Sequence, residues 1–293
     1  MSEKQFTIVG LGEVLWDLLP NGKQPGGAPA NFAYISSQLG NHGIAASRVG
    51  SDGNGDEILA NLKDKGVDVS HIQIDEKHAT GTVKVSLANG QPNYEIIENV
   101  AWDFLELTED WRELAKICDA VCFGSLAQRN QVSQKTIFEF LDLMKKSSVK
   151  VFDINLRQNY FSADIVEKSF NAATIVKLNH EELPIVAKMF RIDAAKEIEI
   201  SRKLLTKFDL KTICVTRGGR GSLLLNENQI SEIPGVKIKI ADTIGAGDAF
   251  TAAMTHGFLH GWDLDELNLQ ANQVAALVAS QSGAMPELSA GQI

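Results

Sequence analysis

Cysteine is scarce in this chain of 293 residues: only Cys118, Cys122 and Cys214 occur, an odd number at irregular spacing. That excludes a disulfide framework and a paired-cysteine zinc site and fits a reducing compartment. All three sit in apolar runs that read as strands, which makes them buried core thiols. Basic charge is also short, 28 Lys and Arg against 37 Asp and Glu for a net charge of −9. With no basic cluster to offset it, that balance disfavours a nucleic-acid or anionic-membrane partner. No apolar run nears the roughly 20 residues that cross a bilayer, and the N-terminal segment runs into a short strand instead of a signal-type apolar stretch. A cytoplasmic protein is expected. Gly-x4-Gly-Lys-Ser/Thr is missing, and Gly10-Leu11-Gly12 has Leu15 where a dinucleotide fingerprint needs its third glycine, so neither common nucleotide loop is present. Internal repeats, low-complexity tracts and long linkers are missing too.

What is present is a 44% hydrophobic chain, long enough for a large core. Short runs rich in Val and Ile alternate with longer amphipathic stretches, the pattern of an α/β fold whose mostly parallel sheet carries helices on both faces. Strands are expected over 6–10, 44–49, 120–123, 149–153, 174–177 and 212–216. Helices are expected over 31–39, 57–65, 133–145, 194–207, 248–259 and 264–281. Two segments break the rhythm. One is the apolar stretch 14–19, with a charge at Asp17. The other is 80–98, whose side chains alternate around Asn89-Gly90-Gln91-Pro92 and which reads as a hairpin. They form either a small β lid, about 12–20 and 80–100, beside one α/β domain spanning 1–293, or antiparallel edge strands of the main sheet.

Two glycine turns open into helices. In Asp242-Thr243-Ile244-Gly245-Ala246-Gly247-Asp248, the small residues Gly245, Ala246 and Gly247 let backbone N–H groups converge, and the helix dipole behind them completes an anion hole. Asp248 beside it reads equally as a general base for a phosphoryl acceptor or as a helix cap. In Pro25-Gly26-Gly27-Ala28-Pro29-Ala30-Asn31, the paired glycines allow close approach to a ligand and Asn31 offers a polyol both donor and acceptor, or the turn is purely structural. Asp17 is either an acceptor for vicinal hydroxyls or a solvated edge charge. His256 and His260 stand one helical turn apart, but with no third ligand they read as helix-face histidines.

Taken together, 26–33 and 242–248 resemble the two signatures of the ribokinase-like, or PfkB, carbohydrate kinases. Gly12-Glu13-Val14-Leu15-Trp16-Asp17, Lys177-Leu178-Asn179-His180-Glu181-Glu182, Thr216-Arg217-Gly218-Gly219-Arg220-Gly221 and Gly283-Ala284-Met285-Pro286 resemble further family landmarks in family order, so that the resemblance covers essentially the whole chain. It implies a three-layer αβα sandwich with a small β-sheet lid and an ATP-dependent sugar kinase that works with Mg²⁺. Asp248 would be the catalytic base, with the amides of Gly245, Ala246 and Gly247 on the transferring γ-phosphoryl. Asp17, Gly26, Gly27 and Asn31 would hold the sugar. Asn179 and Glu182 would organise Mg²⁺ through water. Thr216, Gly218, Gly219 and Gly221 would pack the nucleotide, with Asn272 near the adenine. Asp242, Ile244, Ser280 and Gly283 would line the site where some relatives bind a monovalent cation such as K⁺. Pairing of lid sheets implies a homodimer.

Asp153-Ile154-Asn155-Leu156-Arg157-Gln158 resembles a segment of fructokinases and 2-keto-3-deoxygluconate kinases. Arg157 either clamps a sugar carboxylate, faces a neutral sugar or phosphate, or braces its loop. The stretch 12–17 and the run 155–161 look more like fructokinases, so D-fructose phosphorylated at its 6-hydroxyl is the preferred reading, with 2-keto-3-deoxygluconate next and ribose or another hexose behind it. Tyr94, Ile96, Glu98 and Trp102 lie on or just after the lid, where Glu98 would repel an anionic sugar if it faced the site. A non-catalytic sugar or nucleotide sensor is the alternative of another class, against which stands the intact Asp248.

Overall fold

The structure is a computed structural model describing residues 4–19, 22–88 and 91–288, with backbone alone for 85–88 and 91–94. Asn89 and Gly90 of the expected turn, and the side chain of Tyr94, lie outside the described residues. Along the chain run β1 (Thr7–Leu11), β2 (Leu15–Leu19), β3 (Gly22–Gly26), α1 (Ala28–Gln38), β4 (His42–Gly50), α2 (Gly53–Asp64), β5 (Ile72–Asp75), β6 (Gly81–Ala88) and β7 (Gln91–Ile96). Next come α3 (Glu109–Ile117), β8 (Ala120–Phe123), α4 (Gln131–Leu143), β9 (Val149–Asp153), α5 (Ala163–Ala172), β10 (Ile175–Asn179), α6 (Glu182–Met189) and α7 (Glu197–Lys207). The chain ends in β11 (Thr212–Thr216), β12 (Ser222–Leu225), β13 (Ile230–Ile233), α8 (Ala246–His260) and α9 (Leu264–Ala279).

Nine strands form the main sheet in the order β13-β12-β11-β10-β9-β8-β1-β4-β5. From β11 to β5 every pairing is parallel, and β12 and β13 add antiparallel strands at one edge. Because successive side chains alternate between faces, Ile8, Ala120 and Cys122 join the core beneath α1, α2, α8 and α9, while Val9, Val121 and Phe123 join the core beneath α3 to α7. Both faces are therefore covered, which is why these strands are continuously apolar. The αβα expectation is met.

The differences are local. Helix α1 begins three residues before the expected start because Gly27 at φ 105° forms its N-cap and a proline occupies its first turn. Helix α2 begins at Gly53 because the Asp52 carboxylate accepts from the Gly55 N–H. Cys118 is not in a strand: it caps the C-terminus of α3, buried like Cys122 and Cys214.

The segments that broke the rhythm form a separate four-stranded sheet, β3-β2-β6-β7. Its edge strand β3 carries Pro25, tolerated there because an edge does not need every N–H. Beneath the base of this sheet Arg129 donates to both oxygens of Asp103 at 2.7 and 2.8 Å and to the Ile97 carbonyl at 2.6 Å, with its guanidinium 4.0 Å from the Trp102 ring centre. Asp103 is 2% exposed. Arg129→Ala strands that carboxylate, and urea denaturation should register a loss of about 3–5 kcal/mol.

Candidate active site

The loops after β1, β9, β10 and β11, the N-terminal turn of α8 and strand β2 meet at the carboxyl edge of the parallel strands, where open α/β sheets form their ligand crevice. Gly245, the N-cap of α8, has φ 76°, and a β-carbon added there would stand 2.7 Å from Ala284. The turn can close only with glycine. Behind it the amides of Ala246, Gly247 and Asp248 occupy the first helical turn, which has no intrahelical acceptors, and only that of Ala246 reaches a long contact of 3.3 Å to the Thr243 carbonyl.

Asp248 accepts a 2.7 Å hydrogen bond from the Asn31 side-chain amide. Burial raises its pKa to about 6, helped by the charge of Asp153 and opposed by the Asn31 hydrogen bond and the charges of Lys177 and Arg157. The glycines of the other turn serve close approach. A β-carbon on Gly26 would lie 2.5 Å from the Asp17 carboxylate, and one on Gly27 would lie 2.3 Å from the Glu13 carbonyl oxygen. Asp17 lies on β2, its pKa raised by burial to about 6 against the opposing charge of Arg157. Gly26 thus lies against Asp17, Gly27 against Glu13 and Asn31 against Asp248, and the charge of Arg157 reaches both Asp17 and Asp248, which brings the six residues into one neighbourhood.

Two charged groups here had no assigned role in the sequence. Glu13 is 2% exposed, and its Oε2 has no hydrogen-bond partner. Burial lifts its pKa to about 7, its own N–H and that of Ala28 pull it down, and the charge of Asp248 lifts it further. Lys177 points from β10 to Asp153 of β9, its strand-register partner, with Nζ 3.1 and 3.0 Å from the two carboxylate oxygens. Thr251 of α8 places its hydroxyl 2.8 Å from the same Asp153 and 2.9 Å from the Gly247 carbonyl. The available signal was charge inside apolar runs, since neither Ile175-Val176-Lys177-Leu178 nor Glu13-Val14-Leu15 can bury charge without partners.

Asn179 and Glu182 make a reciprocal pair across the start of α6. The Asn179 N–H donates to Glu182 Oε2 at 2.8 Å, the Glu182 N–H donates to Asn179 Oδ1 at 2.9 Å, and Glu182 Oε1 accepts from the Leu156 N–H at 2.9 Å. This is capping-box geometry, and it also fixes the loop that carries Arg157, in which Asn155 and Gln158 adopt φ 48°. Each Glu182 oxygen keeps a lone pair for a water.

Thr216 ends β11, and Gly218, Gly219 and Arg220 form a single 3-10 turn with φ 58° at Gly218. A β-carbon on Gly221 would meet the Ile233 carbonyl at 1.9 Å. Asn272 is buried, its amide donating to Ser222 Oγ at 2.7 Å and the Asn268 carbonyl at 2.8 Å, so its N–H groups serve a cluster behind β12. Asp242 accepts from the N–H of Ile244 at 3.0 Å and that of Gly283 at 3.2 Å, while the Ser280 hydroxyl turns to the Leu277 carbonyl. Asp242, Ile244 and Gly283 come together, and Ser280 directs its hydroxyl away. Trp102 and Ile96 are buried, and Glu98 accepts a 2.8 Å hydrogen bond from the Tyr160 hydroxyl. The His256 ring lies 2.9 Å from the Asn41 amide, and burial lowers its pKa to about 4.

The pfkB family carbohydrate kinase profile matches residues 20–290. An uncharacterized sugar kinase of Pyrococcus horikoshii is 32% identical over 94% of this chain and 91% of its own. Its structure in complex with ATP aligns at TM-score 0.82 and 30% identity, covering 95% of this chain and 94% of that one. A fructokinase of Escherichia coli is 29% identical over 96% of both chains. The fructokinase of Vibrio cholerae O395, solved with fructose, ADP and calcium, aligns at TM-score 0.78 and 27% identity over 95% of this chain and 94% of that one.

Proposed function

Because this chain belongs to the pfkB family of carbohydrate kinases, we propose that it transfers the γ-phosphoryl group of ATP to the 6-hydroxyl of D-fructose. The observation that carries the reading is the meeting of Asp248, oriented by the Asn31 amide, with the N-terminal turn of α8, which has no side-chain cap and whose Ala246 amide makes only a long 3.3 Å contact. Asp248 takes the proton of the attacking hydroxyl, and the amides of Gly245, Ala246 and Gly247 receive the charge of the transferring group. A loose transition state asks little proton removal of the base before transfer, so an ordinary carboxylate serves.

Asp17, Gly26, Gly27, Asn31 and Arg157 hold the sugar, and Thr216, Gly218, Gly219 and Gly221 cradle the nucleotide, with Asn272 supporting its outer wall. Mg²⁺ would be held through water by Glu182 and Asn179: each Glu182 oxygen accepts one backbone N–H and keeps a second lone pair, whereas Asn179 Oδ1 already accepts two, from Glu181 and Glu182, and serves mainly to fix Glu182. Bound there, it neutralises phosphate charge. K⁺ would sit by Asp242, Ile244 and Gly283, with Ser280 contributing after a rotation of its hydroxyl. The four-stranded sheet closes over the sugar as a lid, excludes water, and pairs with its copy in a homodimer. No helix among the described residues is long and apolar enough to cross a membrane, and a cytoplasmic enzyme is the reading that fits the cysteines.

Fructose is supported by the Escherichia coli and Vibrio cholerae fructokinases. A second reading, 2-keto-3-deoxygluconate, is favoured by Arg157, an exposed cation whose charge reaches Asp17, Glu13 and Asp248. The test is a coupled ADP-release assay with Mg-ATP against fructose, 2-keto-3-deoxygluconate, ribose, glucose and adenosine, with and without K⁺. The expected result is a kcat/KM on fructose at least tenfold above the rest. Preference for the keto acid makes Arg157 a carboxylate clamp, and binding without ADP release makes the protein a sensor.

A further inference from the structure

Lys177 is 7% exposed and stands midway along β10, an interior strand with parallel neighbours on both sides, among apolar residues. Its ammonium group is held from one side by Asp153 at 3.0 Å. On its other side lies the first turn of α8, where a β-carbon added to Gly247 would stand 3.2 Å from Nζ. Glycine at that position therefore does more than free the turn: it lets a cation approach the backbone that carries the anion hole. The Thr251 hydroxyl, between Asp153 and the Gly247 carbonyl, ties the ion pair to the same turn.

We propose that Lys177 is a positioning residue for phosphoryl transfer, its ammonium, anchored by Asp153, placing a fixed positive charge beneath the amides of Gly245, Ala246 and Gly247. This deepens the kinase reading and rests on it. The charge works from behind the amides, without touching the transferring group. It adds to their field and to the positive end of the α8 dipole at no reorganisation cost, because the ion pair is already formed in the resting protein. It also acts on the base. The groups facing Asp248 are Asp153 from β9, Lys177 from β10, Arg157 from the loop after β9, Glu13 from the segment after β1, the Asn31 amide from α1 and the Cys122 thiol from β8. Asp153 and Glu13 carry negative charge when ionised, and Lys177 and Arg157 are the cations that favour the ionised base.

Lys177→Met and the double variant Lys177→Met with Asp153→Asn separate this role from a structural one. The single variant leaves Asp153 without its cation, whereas the double removes both partners of the ion pair and so leaves neither of them as an unpaired buried charge. In the single variant kcat should fall about 10- to 30-fold with both KM values within threefold of wild type. The acidic limb of kcat/KM should move to higher pH, because the cation that favours the Asp248 carboxylate is gone. In the double variant the limb should return toward that of wild type, since Asp153 no longer opposes ionisation, yet kcat should stay about tenfold low. Titration of the Asp248 carboxyl by ¹³C NMR in the resting protein gives the same shifts without turnover.

A folded double variant, by circular dichroism and thermal melting, with wild-type kcat would overturn the proposal and reduce Lys177 to a counterion for Asp153. An Asp248 titration unmoved in the single variant would overturn it too. Failure of the kinase reading looks different: wild type inert toward every sugar while the titration still moves would reject phosphoryl transfer and support the charge placement.

Discussion

Asp248→Asn is expected to bind sugar and ATP as wild type does and to lose about 10²- to 10⁴-fold in kcat, the range a positioned general base contributes. The replacement is isosteric, and its carbonyl oxygen can keep the 2.7 Å hydrogen bond from Asn31, so geometry survives while basicity does not. Calorimetric titration of fructose and an ATP analogue reads binding, and single-turnover kinetics read chemistry. Turnover within tenfold of wild type would remove Asp248 from the base role.

The pH dependence follows from the same carboxylate. Burial and the charge of Asp153 lift Asp248 from 3.8 to about 6, so kcat/KM should fall about tenfold per pH unit below pH 6, where the base holds its proton. Glu13, raised to about 7 and sensing the Asp248 charge, titrates with it, which broadens that limb. The sign for stability is opposite to that of an ordinary salt-bridged carboxylate. Between 3.8 and about 6 the folded protein binds a proton that the unfolded chain has released, so Asp248 lowers stability as pH rises through that window and leaves it lowered above. Thermal melts at pH 7.5 should therefore find Asp248→Asn more stable than wild type. The gain should be about 1 kcal/mol, reduced by the solvent that still reaches this partly exposed residue. A variant that loses activity and gains stability marks a group held in a costly state for chemistry.

The parallel strands were legible because burial on both faces leaves an uninterrupted apolar run, as in Ala120-Val121-Cys122-Phe123. The two glycine turns were legible because Gly27 and Gly245 occupy backbone conformations or contacts that a side chain forbids. Strand β3 was not: Gly-Lys-Gln-Pro-Gly has no alternation, and it is a strand only because β2 offers it a free edge. Helix α6 hid behind its internal proline and its short length. At the site, Asn179 and Glu182 were visible as a spacing, but the spacing fits a capping box as well as a hydrated cation, and only coordinates reveal that both side chains already accept backbone N–H groups. Lys177 and Glu13 were visible as charges in apolar surroundings, yet their partners lie on other strands and loops, which one-dimensional patterning does not register.

Gly245→Ala is the second variant expected to act strongly. Gly245 sits at φ 76°, a left-handed conformation that disfavours a β-carbon, and the added methyl would collide with the backbone and side chain of Ala284 at 2.7 Å. The backbone of that neighbour cannot swing aside as a long side chain would. Its segment is tied down, because the Gly283 N–H donates to Asp242 and the Pro286 carbonyl accepts from the Tyr34 hydroxyl. The turn itself must therefore move, and with it the amides that face the transferring group. A lost oxyanion donor costs about 10²–10³ in kcat, and the strained conformation costs of order 1–3 kcal/mol of stability. Gly261→Ala, at the opposite end of the same helix, is the matched control, also at positive φ, 73°, but with nothing within 4 Å of the added carbon. It should show the conformational cost without the collision and keep kcat within about threefold. Single-turnover rates with saturating ATP separate the two. Equal, small losses at both positions would mean that the 245–247 amides do not carry the transferring charge.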